Sequence, residues 1–397
     1  MIKKITNHHN LFQKFISFEN LHLAFQKASR LKKFRKDVLN FEYRLEYNLL
    51  TLQKELKNNT YQHGGYRKFI VEDPKKREIK AAPFRDRVIH HAVANIIEPI
   101  FNKGFIFDSY ACRQDKGTHR AVQRLNKFVQ SIKSKQALSR GGEVPGLIYC
   151  LQCDISKYFA SINHRVLFEL IKRKIRNKKL LVVIQKIIQS SFDQPEHENY
   201  PLQFYSMERL VRLDSSKNTD YSLRNTVRLT GIPIGNLTSQ LFANIYLNEL
   251  DQFIKHTLSK ELKKQKKDSC ASHYYIRYMD DFLFLDLDKK TLHWVKDKIK
   301  NFLETNLKLN LHPKKVNVFP IKNGIDFLGY RVFCSKPIKL RRSTVFRFIK
   351  RIKKYQEKKK KPELIWQSFQ SWKGYAKHGD SYQLQQSLKE RYKIFGR

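Results

Sequence analysis

The feature that most constrains the fold is a short polar turn between two apolar runs, in the segment YYIRYMDDFLFLDL at residues 274–287. The flanking residues are the β-branched, aromatic and bulky apolar types that favour strands, and Met-Asp-Asp is short enough for a tight turn. The segment therefore predicts a β-hairpin with Asp280 and Asp281 at its tip. Two carboxylates at the end of a buried hairpin repel each other and resist desolvation, so a cation or exposure to water must relieve them.

An adjacent Asp pair between strands is, taken alone, usually a solvated turn. A third carboxylate changes that balance, because Asp154 stands at the end of another mostly apolar run, LIYCLQCDI at 147–155. Three acids at the ends of neighbouring strands suit two-metal phosphoryl transfer, in which ions about 3.5–4 Å apart clamp the attacking and leaving oxygens. A site for a pair of Mg²⁺ ions is the resulting hypothesis.

The charge balance of the chain indicates a polyanionic partner. Among 397 residues, 79 Lys and Arg outnumber 36 Asp and Glu, and the formal net charge of +43 favours nucleic acid, with an anionic membrane surface as the alternative. No apolar run reaches the roughly 18 residues of a membrane span, and the N-terminus lacks the apolar core of a signal peptide. These features predict a cytoplasmic protein that does not act at a membrane.

The five cysteines agree with that compartment, because an odd and scattered set gives no disulfide framework. Cys150 and Cys153 form a single C-x-x-C. A metal site would need a second pair, or histidines at ligand spacing, and neither follows. Both cysteines are therefore predicted to lie in the core of a strand.

Periodicity and turn residues predict the surrounding elements. Apolar residues spaced by three and four from Phe41 to Leu56 predict one helical face, and 86–100 predict a second helix. A basic hairpin is predicted over 67–82, around a proline. The basic segment 131–145 is interpreted as a flexible separator, and the pattern-poor segment 194–228 as a surface insertion. Further helices are predicted over 158–170, 241–253, 292–307 and 345–355.

The order of motifs along the chain resembles the palm of reverse transcriptases, the RNA-directed DNA polymerases. The motifs are LQCDISKYFASI, GIPIGNLTSQLFANIYLNELD, YMDD, LNLHPKKVNVF and IDFLGYRV, preceded by RDRVIHHAVANIIEPIF and FDSYACRQDKGTHRAV. One motif alone would carry little weight, but the full set in this order is a strong signal. The resemblance covers roughly residues 75–332.

The resemblance implies an α/β (α+β) fold of the right-hand polymerase type. It places N-terminal helices and fingers at 1–146 and a ferredoxin-like antiparallel palm at 147–332, with an insertion at about 194–230. A basic helical thumb follows at 333–397. An amphipathic, cation-rich helix such as the one predicted there suits a duplex backbone. It also suits a membrane surface, but that alternative leaves the palm motifs unexplained.

The resemblance also implies roles for individual residues. Asp154, Asp280 and Asp281, together with Ile155, would hold two Mg²⁺ ions, for which Mn²⁺ can substitute. Lys315 aligns with a lysine that protonates the departing pyrophosphate or pairs with it electrostatically. The residues implied at template or nucleotide are Lys75, Arg77, Arg113, Phe159, Ile234, Gly235 and Gln240. The residues that correspond to the primer grip are Phe327, Leu328 and Gly329.

Two of these roles have a simpler alternative from the sequence alone. Lys75 and Arg77 are equally consistent with a solvated basic loop in an already basic protein. Phe159 resembles the ring that excludes the 2′-hydroxyl of a ribonucleotide, but it also begins an amphipathic helix and suits core packing. The residues by themselves do not choose between these interpretations.

One departure from the common pattern narrows the resemblance. Most reverse transcriptases carry Gln before the second glycine of the loop and Ser-Pro at its end, whereas this chain has Ile234 and Ser239-Gln240. That variant resembles the enzymes of diversity-generating retroelements, which copy a template RNA into cDNA with errors concentrated opposite adenine. Ile cannot hydrogen-bond an incoming nucleotide as Gln can, so mispairs would be penalised less.

The narrower resemblance implies a template RNA, an RNA/cDNA duplex and deoxynucleoside triphosphates as ligands. It also implies a small basic accessory protein encoded nearby and a prokaryotic or phage origin. Two alternatives remain open. One is a reverse transcriptase of another type, from antiphage defence or an intron, and the other is a non-catalytic RNA-binding protein of polymerase descent.

Overall fold

The structure, a computed structural model, describes residues 10–72, 76–139, 147–190, 230–265 and 273–394. It contains two compact units, each built from three stretches of chain. The first unit comprises Met1–Ile106, Ile155–Gln252 and Asn301–Asn310. The second comprises Phe107–Asp154, Phe253–Lys300 and Leu311–Arg397. The division into fingers, palm and thumb stays a prediction, and the proposed insertion at 194–230 lies almost entirely outside the described residues.

The described elements alternate between helices and short strands. The helices are α1 (Leu11–Ile16), α2 (Phe18–Ser29), α3 (Lys36–Tyr43), α4 (Leu45–Lys57), α5 (Phe84–Asn102), α6 (Thr118–Ser139), α7 (Tyr158–Ser161), α8 (His164–Lys172), α9 (Lys178–Gln189), α10 (Leu237–Gln252), α11 (Ser259–Gln265), α12 (Lys289–Asn306), α13 (Arg342–Glu357), α14 (Pro362–Ala376) and α15 (Tyr382–Arg391). The strands are β1 (Arg67–Val71), β2 (Arg77–Ala81), β3 (Tyr149–Asp154), β4 (Tyr275–Tyr278), β5 (Asp281–Asp286), β6 (Asn317–Pro320), β7 (Ile325–Phe327), β8 (Tyr330–Val332) and β9 (Lys339–Leu340).

The first unit is mainly helical, and its centre is the predicted helix α5. Val88, Ile89, Val93 and Ile97 are fully buried along one side of it, which confirms the apolar face. Helix α10 packs against both α5 and α8, and most of its residues are buried, including the polar Asn244 and Asp251. Strands β1 and β2 form the predicted basic hairpin.

Two helices that the periodicity joined are interrupted in the structure. The face predicted from Phe41 to Leu56 is divided between α3 and α4, because Arg44 leaves the helical backbone (φ −124°, ψ 47°). The helix predicted over 158–170 is also two helices. Asn163 adopts an extended backbone, and its side chain accepts a hydrogen bond from the Val166 N–H, so it starts α8 as an N-cap.

The second unit contains the predicted palm sheet. Its four strands stand in the order β4-β5-β3-β6, and every pair is antiparallel. Along the chain the order is β3, helices, β4, β5, α12, β6. This βαββαβ connectivity with the first and third strands central is the ferredoxin-like arrangement, so the predicted fold class is confirmed.

One face of this sheet forms a core with the C-terminal helices. Cys150, Ile276, Leu283 and Leu285 belong to a buried cluster that also includes residues of α6, of the β7-β8-β9 sheet and of α13–α15. In the thumb candidate, the rings of Phe348 and Trp372 stack with centroids 4.3 Å apart. The prediction that the aromatic residues of this tail pack the helices together is confirmed.

The separator predicted over 131–145 is wrong for its described part. Helix α6 continues to Ser139, and Ala121, Leu125, Phe128 and Ile132 are buried at intervals of three and four residues. Lys133 and Lys135 of this segment therefore lie on an amphipathic helix. No helix in the described ranges has the length and apolar character needed to span a bilayer.

Candidate active site

The predicted hairpin between β4 and β5 is confirmed, and it sets Asp281 beside Asp154. Strand register pairs Tyr278 with Asp281 and Asp154 with Asp281, so Asp154 ends β3 directly opposite the start of β5. Directly paired side chains stand on the same face of a sheet with Cβ atoms about 4.5–5.5 Å apart. Met279 and Asp280 form the turn, and Met279 adopts the left-handed backbone (φ 56°).

The carboxyl group of Asp281 is poorly solvated. Its Oδ1 atom is buried and makes no hydrogen bond. Burial, reinforced by the charges of Asp154 and Asp280, raises the pKa of Asp281 to about 7, although a hydrogen bond from Gln152 and the charge of Lys315 act in the opposite direction. Perturbed pKa values of this kind cluster at functional sites.

Lys315 lies beside Asp154, and its role at a departing pyrophosphate stays a prediction. Its ammonium pairs with Asp154 Oδ2. The loop before β6 holds it there, because the His312 N–H donates to the Asp154 carbonyl oxygen (2.8 Å) and the Lys315 N–H donates to the His312 carbonyl oxygen (3.1 Å).

Two of the three predicted acids, Asp154 and Asp281, are placed where they could bind a divalent cation. Within the described ranges, no group of three or more His, Cys, Asp or Glu side chains is arranged to hold a metal ion. Asp154 and Asp281 nevertheless offer paired hard oxygen donors, and the unpartnered buried oxygen of Asp281 is a donor that a cation would satisfy. Contributions from Asp280 and Ile155 stay predictions.

Cys150 and Cys153 are not part of this site. Both are fully buried in β3, as predicted, and burial raises the pKa of each thiol. Buried neutral thiols of this kind behave as small apolar side chains.

A buried arginine that the motifs did not single out supports the turn. Arg277, in β4, is fully buried, and its guanidinium donates to the carbonyl oxygen of Met279 (3.1 Å). Its backbone N–H donates to the Asp108 carbonyl oxygen (2.9 Å), and its carbonyl accepts from the Tyr110 N–H (3.0 Å). An arginine inside an otherwise apolar strand was the available signal, since a buried charge needs partners.

The residues aligned with the primer grip form the tight turn between β7 and β8. Leu328 and Gly329 both have positive φ (51° and 88°), as a two-residue hairpin turn requires. Tyr375 Oη donates to the Leu328 carbonyl oxygen (3.0 Å), and a Cβ at Gly329 would collide with that hydroxyl. The close approach that glycine permits is thus made by a side chain of α14, and contact with a primer stays a prediction.

The nucleotide-side candidates lie mainly in the first unit, around the loop before α10. The Lys80 N–H of β2 donates to the Ile234 carbonyl oxygen (3.1 Å). Gly235 has φ 118°, and a Cβ there would come within 2.8 Å of Ile79. The Ile232 N–H donates to the Phe159 carbonyl oxygen (2.8 Å). The same loop therefore contacts both β2, which begins at the exposed Arg77, and Phe159.

The remaining candidates are dispersed. Gln240 lies in the first turn of α10, which begins at Leu237, four residues earlier than predicted. Arg113 belongs to the second unit, where its guanidinium donates to the Ser109 carbonyl oxygen (2.8 Å). Lys75 lies outside the described residues.

A ferredoxin-like antiparallel sheet with acids at the end of its first strand and in the turn between its second and third strands agrees with the polymerase palm that the motif order predicts. Residues 71–332 match the family described as reverse transcriptase (RNA-dependent DNA polymerase), and the chain belongs to that family.

Two curated relatives show the breadth of the family around this chain. Protein YkfC of Escherichia coli (strain K12) is 26% identical over 311 residues, which cover 73% of this chain and 72% of YkfC. The group II intron-encoded protein LtrA of Lactococcus lactis subsp. cremoris is 23% identical over 364 residues, covering 78% of this chain and 52% of LtrA. This chain therefore spans about half the length of LtrA. A solved structure of apo telomerase from Candida tropicalis aligns with 14% identity and a TM-score of 0.44, covering 69% of this chain and 47% of that one.

Proposed function

We propose that this chain synthesises DNA on an RNA template by adding deoxynucleoside triphosphates to the 3′-hydroxyl of a primer. The observation that supports this most directly is the cross-strand pair Asp154–Asp281 at the end of the palm sheet, with a buried, unpartnered oxygen on Asp281. When bound, a pair of Mg²⁺ or Mn²⁺ ions activates the primer hydroxyl and neutralises the departing pyrophosphate.

The second unit supplies the groups for the chemical step. The carboxylates of Asp154 and Asp281, with Asp280 and Ile155 by resemblance, would hold the ions. Lys315 would give a proton to the pyrophosphate or neutralise it, and its ammonium already lies against Asp154. The primer end would contact the turn between β7 and β8.

The first unit supplies groups for the nucleotide. Arg77 would bind the triphosphate through charge-assisted hydrogen bonds. The Phe159 ring would lie against the sugar and exclude a 2′-hydroxyl. Gly235 would let the loop approach the nascent base pair closely. Lys75, Arg113 and Gln240 keep the supporting roles at template or nucleotide that the resemblance implies.

Primer extension tests this proposal. Purified protein receives an RNA template, a primer, four deoxynucleotides and Mg²⁺, and labelled DNA is measured. We expect extension by the wild type and by Asp297→Asn, which changes an exposed acid on α12, and no extension by Asp154→Asn or Asp281→Asn. RNA binding should persist in all four proteins, because the charge that drives it lies elsewhere. Full extension by Asp281→Asn would contradict the proposal.

We further propose that synthesis is error-prone, as in diversity-generating retroelements. The support is Ile234, an apolar side chain beside Gly235 on the loop that contacts β2. The template RNA and a small basic accessory protein belong to this narrower proposal, as does a cytoplasmic location. The relationship to LtrA supports the competing proposal of an intron-type enzyme.

Sequencing the cDNA distinguishes the error-prone enzyme from the intron-type enzyme. We expect substitutions clustered opposite adenine in the wild-type product, and fewer of them with Ile234→Gln. Leu39→Gln, at an exposed position on α3, is the matched control and should leave the error spectrum unchanged. Faithful cDNA from the wild type, with and without the accessory protein, would overturn the narrower proposal and favour the intron or defence type.

A further inference from the structure

Gln152 stands between the acids and the β7–β8 turn. It lies on β3 two residues before Asp154, so both side chains point to the same face of the sheet. Gln152 pairs with Leu283 in the register that pairs Asp154 with Asp281, so Asp281 is its diagonal neighbour on β5. No motif of the sequence includes a role for this glutamine.

The side-chain amide of Gln152 contacts both Asp326, which precedes the β7–β8 turn, and Asp281. Its Nε2 donates to the Asp326 carbonyl oxygen (3.2 Å), in the strand that leads to Phe327. It also hydrogen-bonds to the side chain of Asp281, which lowers the pKa of that carboxyl against the effect of burial. A glutamine amide nitrogen carries two hydrogens, so a single NH₂ group can serve both acceptors.

Asp326 and the β7–β8 turn are in turn held by residues of β8 and of the thumb candidate. The Asp326 carboxylate lies 3.5 Å from Arg331 Nε and 3.3 Å from Arg341 Nε. Tyr375 Oη donates to the Leu328 carbonyl oxygen, and Tyr330 Oη donates to the Tyr375 carbonyl oxygen (2.7 Å). The hairpin is therefore tied at one end to α14 and at the other to Gln152.

We propose that Gln152 is a positioning residue that couples the β7–β8 hairpin to the Asp281 carboxylate, so that the placement of the primer end sets the orientation of the acid. This inference rests on the proposed polymerase function. When the primer end is correctly paired, the β7–β8 hairpin keeps its position relative to the Asp281 carboxylate. A mispaired end displaces the hairpin, and Gln152 passes that displacement to Asp281 and slows the next addition.

Three variants separate this role from packing. Gln152→Met keeps the approximate shape and removes both donated hydrogen bonds. Gln152→Glu keeps the shape and polarity but only accepts at neutral pH. Gln130→Met is the matched control, since Gln130 on α6 in the same unit also donates to a carbonyl oxygen, that of Cys334 (3.3 Å), and contacts none of the acids.

Single-nucleotide addition to matched and mismatched primer ends gives the kinetic test. For Gln152→Met we expect kcat on a matched end to fall about tenfold, the effect of losing one hydrogen bond to a charged group, with KM for the nucleotide changed less than about twofold. The preference for matched over mismatched ends should fall at least about threefold, since the displacement is no longer transmitted. Gln152→Glu should behave like Gln152→Met. Kinetics of either variant equal to those of Gln130→Met would overturn the proposal.

Hydrogen exchange gives a readout that does not need activity. In wild-type protein, Mn²⁺ alone should slow amide exchange in Ile325–Val332, because an ordered Asp281 holds Gln152 and thus Asp326. In Gln152→Met that segment should exchange faster, and Mn²⁺ should not change it. An unchanged exchange pattern in Gln152→Met would exclude the coupling even if wild-type DNA synthesis is normal. Coupled exchange in a protein that makes no DNA would overturn the polymerase function alone.

Discussion

At the level of single residues, the unusual group is the carboxyl of Asp281, whose pKa is raised although the protein as a whole is very basic. The net charge is +43, yet the pKa of Asp281 is raised to about 7, because burial and two neighbouring acids outweigh Lys315. Lys315 itself pairs with Asp154. Local desolvation, and not the overall charge, therefore decides how this acid titrates.

Asp281 should make the metal-free protein less stable as the pH rises. Its folded pKa of about 7 exceeds the ordinary value of 3.8, so between these values the folded state binds more protons than the unfolded state, and stability falls with rising pH. The Asp281→Asn variant has no carboxyl group to ionise at this position, so its stability should not fall in this way as the pH rises. We expect its melting temperature, measured in chelator, to exceed that of the wild type above about pH 7 and the difference to shrink toward about pH 4.

Asp297→Asn serves as the control for that measurement and should follow the wild type, because Asp297 is 70% exposed. Parallel melting curves of wild type and Asp281→Asn over the whole pH range would contradict the raised pKa.

At the scale of elements, the loop before α10 and the β1–β2 hairpin behave as one piece. The buried side chain of Asn236 accepts from the Ala82 N–H (3.3 Å) and donates to the Lys80 carbonyl oxygen (3.0 Å). Together with the Lys80–Ile234 bond, these contacts tie β2 to the loop that carries Ile234 and Gly235. Residues far apart in the chain thus contribute to one surface, on which the candidate nucleotide-binding residues Ile234 and Gly235 lie.

Asn236→Ala should loosen that surface. The change removes both side-chain hydrogen bonds and leaves two backbone groups unpaired, at a cost of about 1–3 kcal/mol in the free energy of unfolding. We expect a lower urea midpoint and a raised KM for the nucleotide. Asn301→Ala, at an exposed position on α12, should leave KM unchanged. A variant with normal KM would show that this contact does not position nucleotide-binding groups.

At the scale of the whole molecule, the excess of cations is directed outward by amphipathic helices. In α13, Phe348 and Ile352 are buried, while the Lys and Arg side chains of the helix are exposed. Such a helix keeps its structure through the apolar side and leaves its charge available for phosphates. Binding through many phosphate contacts releases counterions, so its affinity falls steeply with salt.

Removal of two of these cations should reduce that salt dependence. Lys350→Ala with Lys354→Ala removes two exposed cations one turn apart on α13, and the slope of log affinity against log salt for an RNA/DNA duplex should become shallower by about 2. Filter binding or anisotropy at several salt concentrations measures the slope. The pair Lys260→Ala with Lys264→Ala, equally spaced and exposed on α11, is the control. Equal changes in both pairs would show that α13 has no special part in binding.

Local patterns predicted much of this protein. The hairpin at Asp280 and Asp281, the strand ending at Asp154 and the basic hairpin of β1 and β2 follow from alternation and turn residues within a few positions of each other. The interruption at Arg44 and the continuation of α6 to Ser139 were not predicted. The spacing of apolar residues does not report a change in the backbone conformation of a single residue such as Arg44. In α6, the exposed polar and basic residues lie between the apolar ones in the sequence, so the apolar face of the helix was overlooked.

Motif order and residue type, which can be read directly along the chain, were enough to indicate the acids of the candidate site and the family to which the chain belongs. Only the tertiary structure decided how the site is supported. Gln152 and Asp326 are 174 residues apart, Asn236 and Lys80 are 156 apart, and Tyr375 reaches a turn 47 residues before it. A hydrogen bond between distant residues leaves no periodic signal in either segment, since it exists only once both segments have been brought together by packing.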